Sequence, residues 1–168
     1  KEPPQYLLLY FSAGWCGPCQ RFSPELVRFH EQQKQQFGKR FQTVWISRDK
    51  KESEMRRYAK AHDFPWLAVA WNKLDEVPMT QAYGPLGIPD LVLLDGKRAV
   101  LATSYDGNDY KGPERVLTDL AERLGLEVDA GELHAGRLLT TLTPRAAASW
   151  RSSRCRSRRV TRRSSRRA

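Results

Sequence analysis

The sequence predicts an α/β domain in which helices cover a mixed central β-sheet. Strand, helix and strand patterns follow one another in the first 47 residues, and this order predicts a parallel pair joined by a right-handed crossover. A hairpin pattern around Asp95-Gly96-Lys97, followed by an amphipathic helix, adds antiparallel strands and a closing layer.

The parallel pair is predicted from two strand segments and the helix between them. The first strand is expected at Tyr6–Phe11, a continuous apolar run typical of a strand buried on both faces. A helix should follow over about Pro18–Phe37, with Pro24 kinking it and Gly38 ending it. The second strand is expected at Phe41–Ser47. The core-facing stripe of the helix comprises Phe22, Leu26, Phe29 and Gln33.

Shorter patterns predict the second half of the domain. They indicate a helix at Lys51–His62 and an apolar stretch at Trp66–Trp71 that forms or approaches a strand. A short helix at Met79–Tyr83 and two hairpin strands at Leu91–Leu94 and Ala99–Thr103 follow. A last helix opens at Gly112-Pro113 and ends at Gly125. Its core-facing residues are Val116, Leu117, Leu120 and Leu124.

Positive charge is concentrated in the C-terminal part of the chain. The net charge is +10 over 168 residues, of which residues 126–168, with 11 arginines and 3 acidic side chains, contribute +8. We therefore predict one folded domain over residues 1–125 and a disordered Arg/Ser-rich extension over residues 126–168. Weak nucleic-acid contact through this extension is one hypothesis, and a plain solvated tail is the alternative.

The N-terminal end carries no membrane or signal-peptide pattern. No stretch is long enough to span a bilayer, and we expect no membrane partner. The chain begins with Lys1 rather than methionine, so we expect that the natural N-terminus has been lost. Cytoplasmic localisation is expected, with the nucleus as the alternative.

The clearest chemistry lies in Trp15-Cys16-Gly17-Pro18-Cys19. At the first turn of a helix, Cys16 should be exposed and close to free backbone N–H groups and the positive end of the helix dipole, which stabilise a thiolate. Cys19 follows about one turn further in, where it can attack a mixed disulfide on Cys16. Gly17 and Pro18 suit the turn and the helix start. The pair is predicted to form a redox-active Cys16–Cys19 disulfide, with Cys16 as the nucleophile and Cys19 as the resolving thiol.

A zinc site is the alternative for a C-x-x-C pair, since structural zinc takes four ligands. The third cysteine, Cys155, lies in the arginine-rich tail, and His30, His62 and His134 show no metal-ligand spacing. We therefore expect no metal and no bound cofactor other than the redox-active disulfide. A purely structural disulfide is also disfavoured, because so short a loop constrains little of the unfolded chain.

Further segments around this motif resemble a known family. Pro24 follows Cys19 by five residues, and Gly87-Ile88-Pro89 precedes the predicted hairpin. With the motif behind a strand, this order resembles the thioredoxin superfamily over most of residues 5–125. Finer segments resemble the tryparedoxin and nucleoredoxin branch: Tyr10–Cys16, Phe22–Leu26, Trp45–Asp49, Pro65–Val69 and Gly87–Asp95.

The resemblance implies a thioredoxin-like fold and a protein-disulfide reductase. It implies a cis Pro89 beside the two sulfurs, with Ile88 offering backbone hydrogen bonds to an extended client segment. The implied partners are disulfide-containing clients such as peroxidases, and an electron donor that is either a reductase or a low-molecular-weight dithiol. The client would bind in a shallow groove at Trp15, Gly17, Pro18, Ile88 and Pro89. For Trp15, packing against the sheet edge is an equal alternative. A redox-sensitive binding module is the alternative for the whole protein.

Three positions depart from the family pattern. Ordinary thioredoxins carry a buried aspartate six residues before the first cysteine, where this chain has Tyr10, so an aspartate-assisted mechanism is not expected. The motif is CGPC where tryparedoxins and nucleoredoxins usually show CPPC. Asp90 follows Pro89 where threonine is common, and we expect its side chain to face solvent.

Overall fold

A five-stranded mixed sheet forms the centre of the computed structural model, which describes residues 3–126. Its strands are β1 (Tyr6–Ser12), β2 (Phe41–Ser47), β3 (Leu67–Ala68), β4 (Asp90–Asp95) and β5 (Val100–Thr103). They lie in the order β3-β2-β1-β4-β5, in which β1 pairs in parallel with β2 and antiparallel with β4. The predicted parallel pair and the predicted antiparallel hairpin β4–β5 are confirmed.

In the described part of the chain, three helices lie between these strands and a fourth follows them. They are α1 (Gly17–Phe37), α2 (Glu52–Ala61), α3 (Pro78–Ala82) and α4 (Glu114–Leu124), with a 3-10 turn at Trp71–Lys73. A second, two-stranded sheet follows β5 and consists of β6 (Tyr105–Asp106) and β7 (Asp109–Tyr110). This small hairpin was not predicted from the sequence.

Strand β1 is buried on both faces, which explains its continuous apolar run. Successive side chains of a strand point to opposite faces. Leu8 and Tyr10 therefore enter the larger core cluster with residues of α1, α2 and α4, whereas Leu9 and Phe11 pack on the opposite face with residues of β2 and β4. Burial on both faces removes the need for alternating polar residues.

Helix α1 begins directly after β1 and carries the cysteine motif at its N-terminus. Cys16 is its N-cap, and the predicted core-facing stripe is buried, including Gln33. Pro24 lies inside the helix without interrupting it. Gly38 ends the helix as expected, and a Cβ at this position would lie 2.3 Å from the carbonyl oxygen of Lys34. The φ of Gly38 is −60°, which any residue can adopt, so its backbone conformation does not require glycine. The close approach of the Lys34 carbonyl does, because it leaves no room for a side chain.

Helix α4 closes the domain and ends at Gly125, whose φ of 84° favours glycine. Leu126, the first residue of the predicted extension, is buried in the core, and its N–H donates to the carbonyl of Ala121 at 3.0 Å. The rest of that extension, including His134 and Cys155, lies outside the described residues. Between residues 3 and 126, no helix is long and apolar enough to cross a bilayer.

Candidate active site

The two cysteines of the motif lie at the start of α1 and are joined by a disulfide, with their Cα atoms 5.2 Å apart. The loop between β1 and α1 is tightened by the Cys16 N–H, which donates to the carbonyl of Ala13 at 3.1 Å. The backbone N–H of Cys19 points at Cys16 Sγ from 3.1 Å. In the reduced state, this donor and the N-terminus of a 21-residue helix both stabilise a thiolate on Cys16.

Cys16 is less exposed than expected. It is 5% accessible, and Cys19 is fully buried, so the prediction of an exposed first cysteine was wrong. The cover comes from the segment before β4, because the carbonyl oxygen of Ile88 lies 3.6 Å from Cys16 Sγ. The Ile88–Pro89 peptide bond is cis, as the family resemblance implies, and Pro89 is buried.

Apart from Pro89, the residues of the predicted client groove are more exposed than Cys16. Trp15 is 62% exposed, Gly17 and Pro18 are exposed, and Ile88 is half-buried. The indole Nε1 of Trp15 donates to the carbonyl of Arg48 at 3.2 Å, which attaches the ring to the loop after β2 while leaving most of it in solvent. This exposure favours a role for Trp15 in contacts with other molecules over packing against the sheet edge.

Asp49 anchors the loop that carries Trp15 and Cys16, and sequence reasoning missed it. Its carboxylate accepts hydrogen bonds from the Gly14 N–H at 2.9 Å and from the Ser47 hydroxyl at 2.8 Å. The side-chain amide of Gln20 holds the same loop from the other side by donating to the Gly14 carbonyl at 2.6 Å. The segment Trp45–Asp49 carried the family resemblance, but nothing in its spacing indicated this contact.

The comparisons with known proteins agree with this geometry. A family model described as thioredoxin-like matches residues 4–100. The chain belongs to the thioredoxin-like family. A probable nucleoredoxin 1 of Arabidopsis thaliana is 40% identical over 93 residues, which cover 52% of this chain and 14% of that protein. A tryparedoxin of Trypanosoma brucei brucei is 37% identical over 110 residues, covering 64% of this chain and 74% of the tryparedoxin.

A solved structure supports the same fold. Tryparedoxin from Trypanosoma brucei matches with a TM-score of 0.55 and 30% identity over 70% of this chain and 76% of that one. The chain is therefore similar to most of a tryparedoxin but spans only 14% of the length of the Arabidopsis nucleoredoxin. The relatives are oxidoreductases of the thioredoxin-like family, and this chain has that fold and a disulfide at its C-x-x-C motif.

Tyr10 takes the place of the buried aspartate of ordinary members of the family. Its hydroxyl lies 2.7 Å from Ser23 Oγ, which lies 2.6 Å from the Tyr58 hydroxyl. Burial and the neighbouring Tyr58 raise the pKa of Tyr10 well above its usual value, so the phenol stays neutral. A buried chain of hydroxyl groups, rather than a carboxylate, thus occupies this family position.

Asp90, the other departure from the family pattern, is buried, and the expectation that it faces solvent was wrong. It is 2% accessible, and its carboxylate accepts the backbone N–H of Ser104 at 3.2 Å. Burial raises the pKa of Asp90 to about 6, and the hydrogen bonds from Ser104 only partly offset that rise. The residue that turns Asp90 inward lies 14 positions away, which local sequence patterns cannot show.

A cavity of about 630 Å³ lies beside Trp15, between the motif loop and α2. Residues that line it include Gly14, Trp15, Asp49, Glu54, Arg57 and Tyr58. The predicted client groove and this cavity share Trp15, whereas Pro18, Ile88 and Pro89 lie outside the cavity lining. No group of three or more His, Cys, Asp or Glu side chains among residues 3–126 could hold a metal ion.

Proposed function

We propose that this protein is a thiol–disulfide oxidoreductase that reduces protein disulfides by dithiol exchange. The observation that carries the proposal is the placement of Cys16 Sγ: at a helix N-terminus, in a disulfide with Cys19, and 3.6 Å from the Ile88 carbonyl. This arrangement joins a stabilised nucleophile, a resolving thiol and a backbone edge for client binding in one place.

The first step uses the reduced protein. The Cys16 thiolate attacks one sulfur of a client disulfide, the client S–S bond breaks, and the second client sulfur leaves as a thiolate that takes up a proton. The Cys19 N–H, 3.1 Å from Cys16 Sγ, favours the reactive thiolate.

The second step releases the client. Cys19, deprotonated, attacks Cys16 Sγ, which breaks the mixed disulfide, forms the Cys16–Cys19 bond and expels the other client sulfur as a thiolate. Two electrons have then passed from the dithiol of this protein to the client. Full burial of Cys19 keeps the resolving thiol away from other disulfides until Cys16 is engaged.

Client recognition would use the exposed surface around Cys16. An extended client segment adds to the backbone of Ile88, beside the cis Pro89, while Trp15 and Pro18 contact its side chains. Gly17 leaves room for the approach. Disulfide-containing proteins such as peroxidases fit this mode of binding.

Two donor thiols must restore the reduced protein: the first attacks the Cys16–Cys19 bond and forms a mixed disulfide, and the second breaks that mixed disulfide and leaves the donor oxidised. A reductase or a low-molecular-weight dithiol would supply the two electrons. A tryparedoxin II that is 25% identical to this chain has been solved in complex with glutathionylspermidine, which supports a small thiol as the donor.

Trapping the mixed disulfide tests the proposal directly. In a Cys155→Ser background, reduced Cys19→Ser should accumulate a covalent adduct with insulin or another protein disulfide, and mass spectrometry should place the bond at Cys16. The matched variant Cys16→Ser, in the same background, should form no adduct. Equal trapping by the two variants would contradict the proposed division of roles. Binding of a client by both redox forms without any exchange would favour the binding-module alternative.

A further inference from the structure

The β6–β7 hairpin packs against the loop that covers Cys16. It follows β5 through Ser104, and its two tyrosines are paired across the strands, with ring centroids 5.1 Å apart. The Lys111 N–H closes the base of the hairpin by donating to the Ser104 carbonyl at 2.8 Å. Nothing in the redox chemistry described above requires this small sheet.

The end of the loop and the start of β4 are held from this hairpin and from Ser104, the residue before it. The Tyr110 hydroxyl donates to the carbonyl of Pro89 at 3.0 Å. The Ser104 N–H donates to the Asp90 carboxylate at 3.2 Å, and the Leu91 N–H donates to the Ser104 hydroxyl at 2.9 Å. The backbone directly after Ile88 is therefore fixed by side chains that lie 13 to 21 positions further along the chain.

The second tyrosine also lies against the loop. A Cβ added at Gly87 would lie 2.8 Å from the Tyr105 hydroxyl, so the loop and this ring are in close contact. Tyr105 and Tyr110 therefore contact Gly87 and Pro89, the two neighbours of Ile88 in the chain.

We infer that Tyr110 is a positioning residue for client binding, which holds the Pro89 carbonyl and thereby fixes the Ile88 backbone beside Cys16. The inference rests on the proposed function, because it concerns the edge to which a client strand would add. Partial burial raises the pKa of Tyr110, which keeps its hydroxyl a donor at neutral pH. The residue is partly exposed, yet the bond that its hydroxyl makes points inward.

Loss of this bond should act on client affinity and leave the sulfur chemistry intact. One hydrogen bond of this kind is worth about three- to tenfold in an equilibrium constant. The rate with a small disulfide, which needs no strand pairing, should stay the same, whereas binding of a protein disulfide should weaken.

The experiment compares Tyr110→Phe with Tyr83→Phe in the full chain. Tyr83 makes the same kind of bond, from its hydroxyl to the Arg98 carbonyl at 2.9 Å, and neither residue belongs to the proposed client groove. With dithiothreitol as donor, Tyr110→Phe should raise the KM for insulin about three- to tenfold while kcat stays within about twofold. Its rate with 5,5′-dithiobis(2-nitrobenzoic acid) should match that of the wild type, and Tyr83→Phe should match the wild type in both assays.

If the wild type reduces insulin and Tyr110→Phe has an unchanged KM for it, the inference is overturned while the proposed function stands. Equal losses with insulin and with the small disulfide would also overturn it, because they would indicate a general structural defect. If the wild type reduced no protein disulfide, the proposed function would fail and this inference with it.

Discussion

The carbonyl oxygen of Ile88 lies 3.6 Å from the sulfur of Cys16, although 72 positions separate the two residues in the chain. Strand β1 leads into the cysteine motif, and the adjacent antiparallel strand β4 begins directly after the Ile88–Pro89 bond. The pairing of these two central strands therefore brings the proposed nucleophile and the proposed backbone edge for client binding together. Rigid strands place both more precisely in space than flexible loops would.

Replacement of Asp90 by asparagine should stabilise the protein in a pH-dependent way. The folded state raises the pKa of Asp90 from 3.8 to about 6, so this group favours folding most below about pH 4, and the contribution is lost as the pH rises through 6. An asparagine at this position would keep an oxygen for the Ser104 N–H without the buried charge. Asp90→Asn should gain about 2 kcal/mol relative to the wild type at pH 8 and almost nothing at pH 4.

Urea unfolding at the two pH values measures this difference. Asp75→Asn, on an exposed turn, serves as the control for removing a carboxylate. A gain of the same size at pH 4 and pH 8 would contradict the assignment of the effect to the titration of Asp90.

Trp15→Ala should weaken client binding without destabilising the fold. The indole is 62% exposed, so little apolar surface leaves the core when it is removed, and we expect a change in unfolding free energy below about 1 kcal/mol. The KM for insulin should rise several-fold, because an exposed tryptophan next to the nucleophile supplies contact area to a client. Leu67→Ala, which removes a side chain of 65% exposure at the sheet edge, should change neither quantity. A large loss of stability with an unchanged KM would instead support packing as the role of Trp15.

Variants of Asp49 should differ according to the bonds they retain. Asp49→Ala leaves the Gly14 N–H without its acceptor and should cost about 1–3 kcal/mol of stability. Asp49→Asn keeps one oxygen for Gly14 and should lose less. Activity with a protein disulfide should fall in the same order, since the loop it anchors carries Trp15 and Cys16. Denaturant unfolding and insulin reduction of both variants give the test, and equal behaviour of the two would contradict the anchoring role.

The elements that could be predicted from the sequence are those whose own residues carry a clear local signal for a strand, a helix or a helix end. Strand β2 was predicted with its observed bounds because a short segment rich in aromatic and β-branched residues lies between a glycine turn and a charged loop. Helix α4 was predicted from its apolar stripe and from Gly125, which takes the positive φ that such an end requires.

The details that were missed depend on contacts between distant residues. Strands β6 and β7 have two residues each, too few for any periodicity, and they are held by the pairing of Tyr105 with Tyr110. Cys16 is covered by a loop 72 positions away, so a local rule for helix starts could not show its burial.

The central claim is that Cys16 is the nucleophile of a thiol–disulfide oxidoreductase, and its most direct test is insulin reduction by Cys16→Ser. With dithiothreitol as donor, the wild type should accelerate precipitation of the reduced insulin chains, and Cys16→Ser should fall to the rate of dithiothreitol alone. Thermal unfolding of the same sample should show that the variant is folded. Full insulin-reducing activity in a folded Cys16→Ser protein would contradict the account.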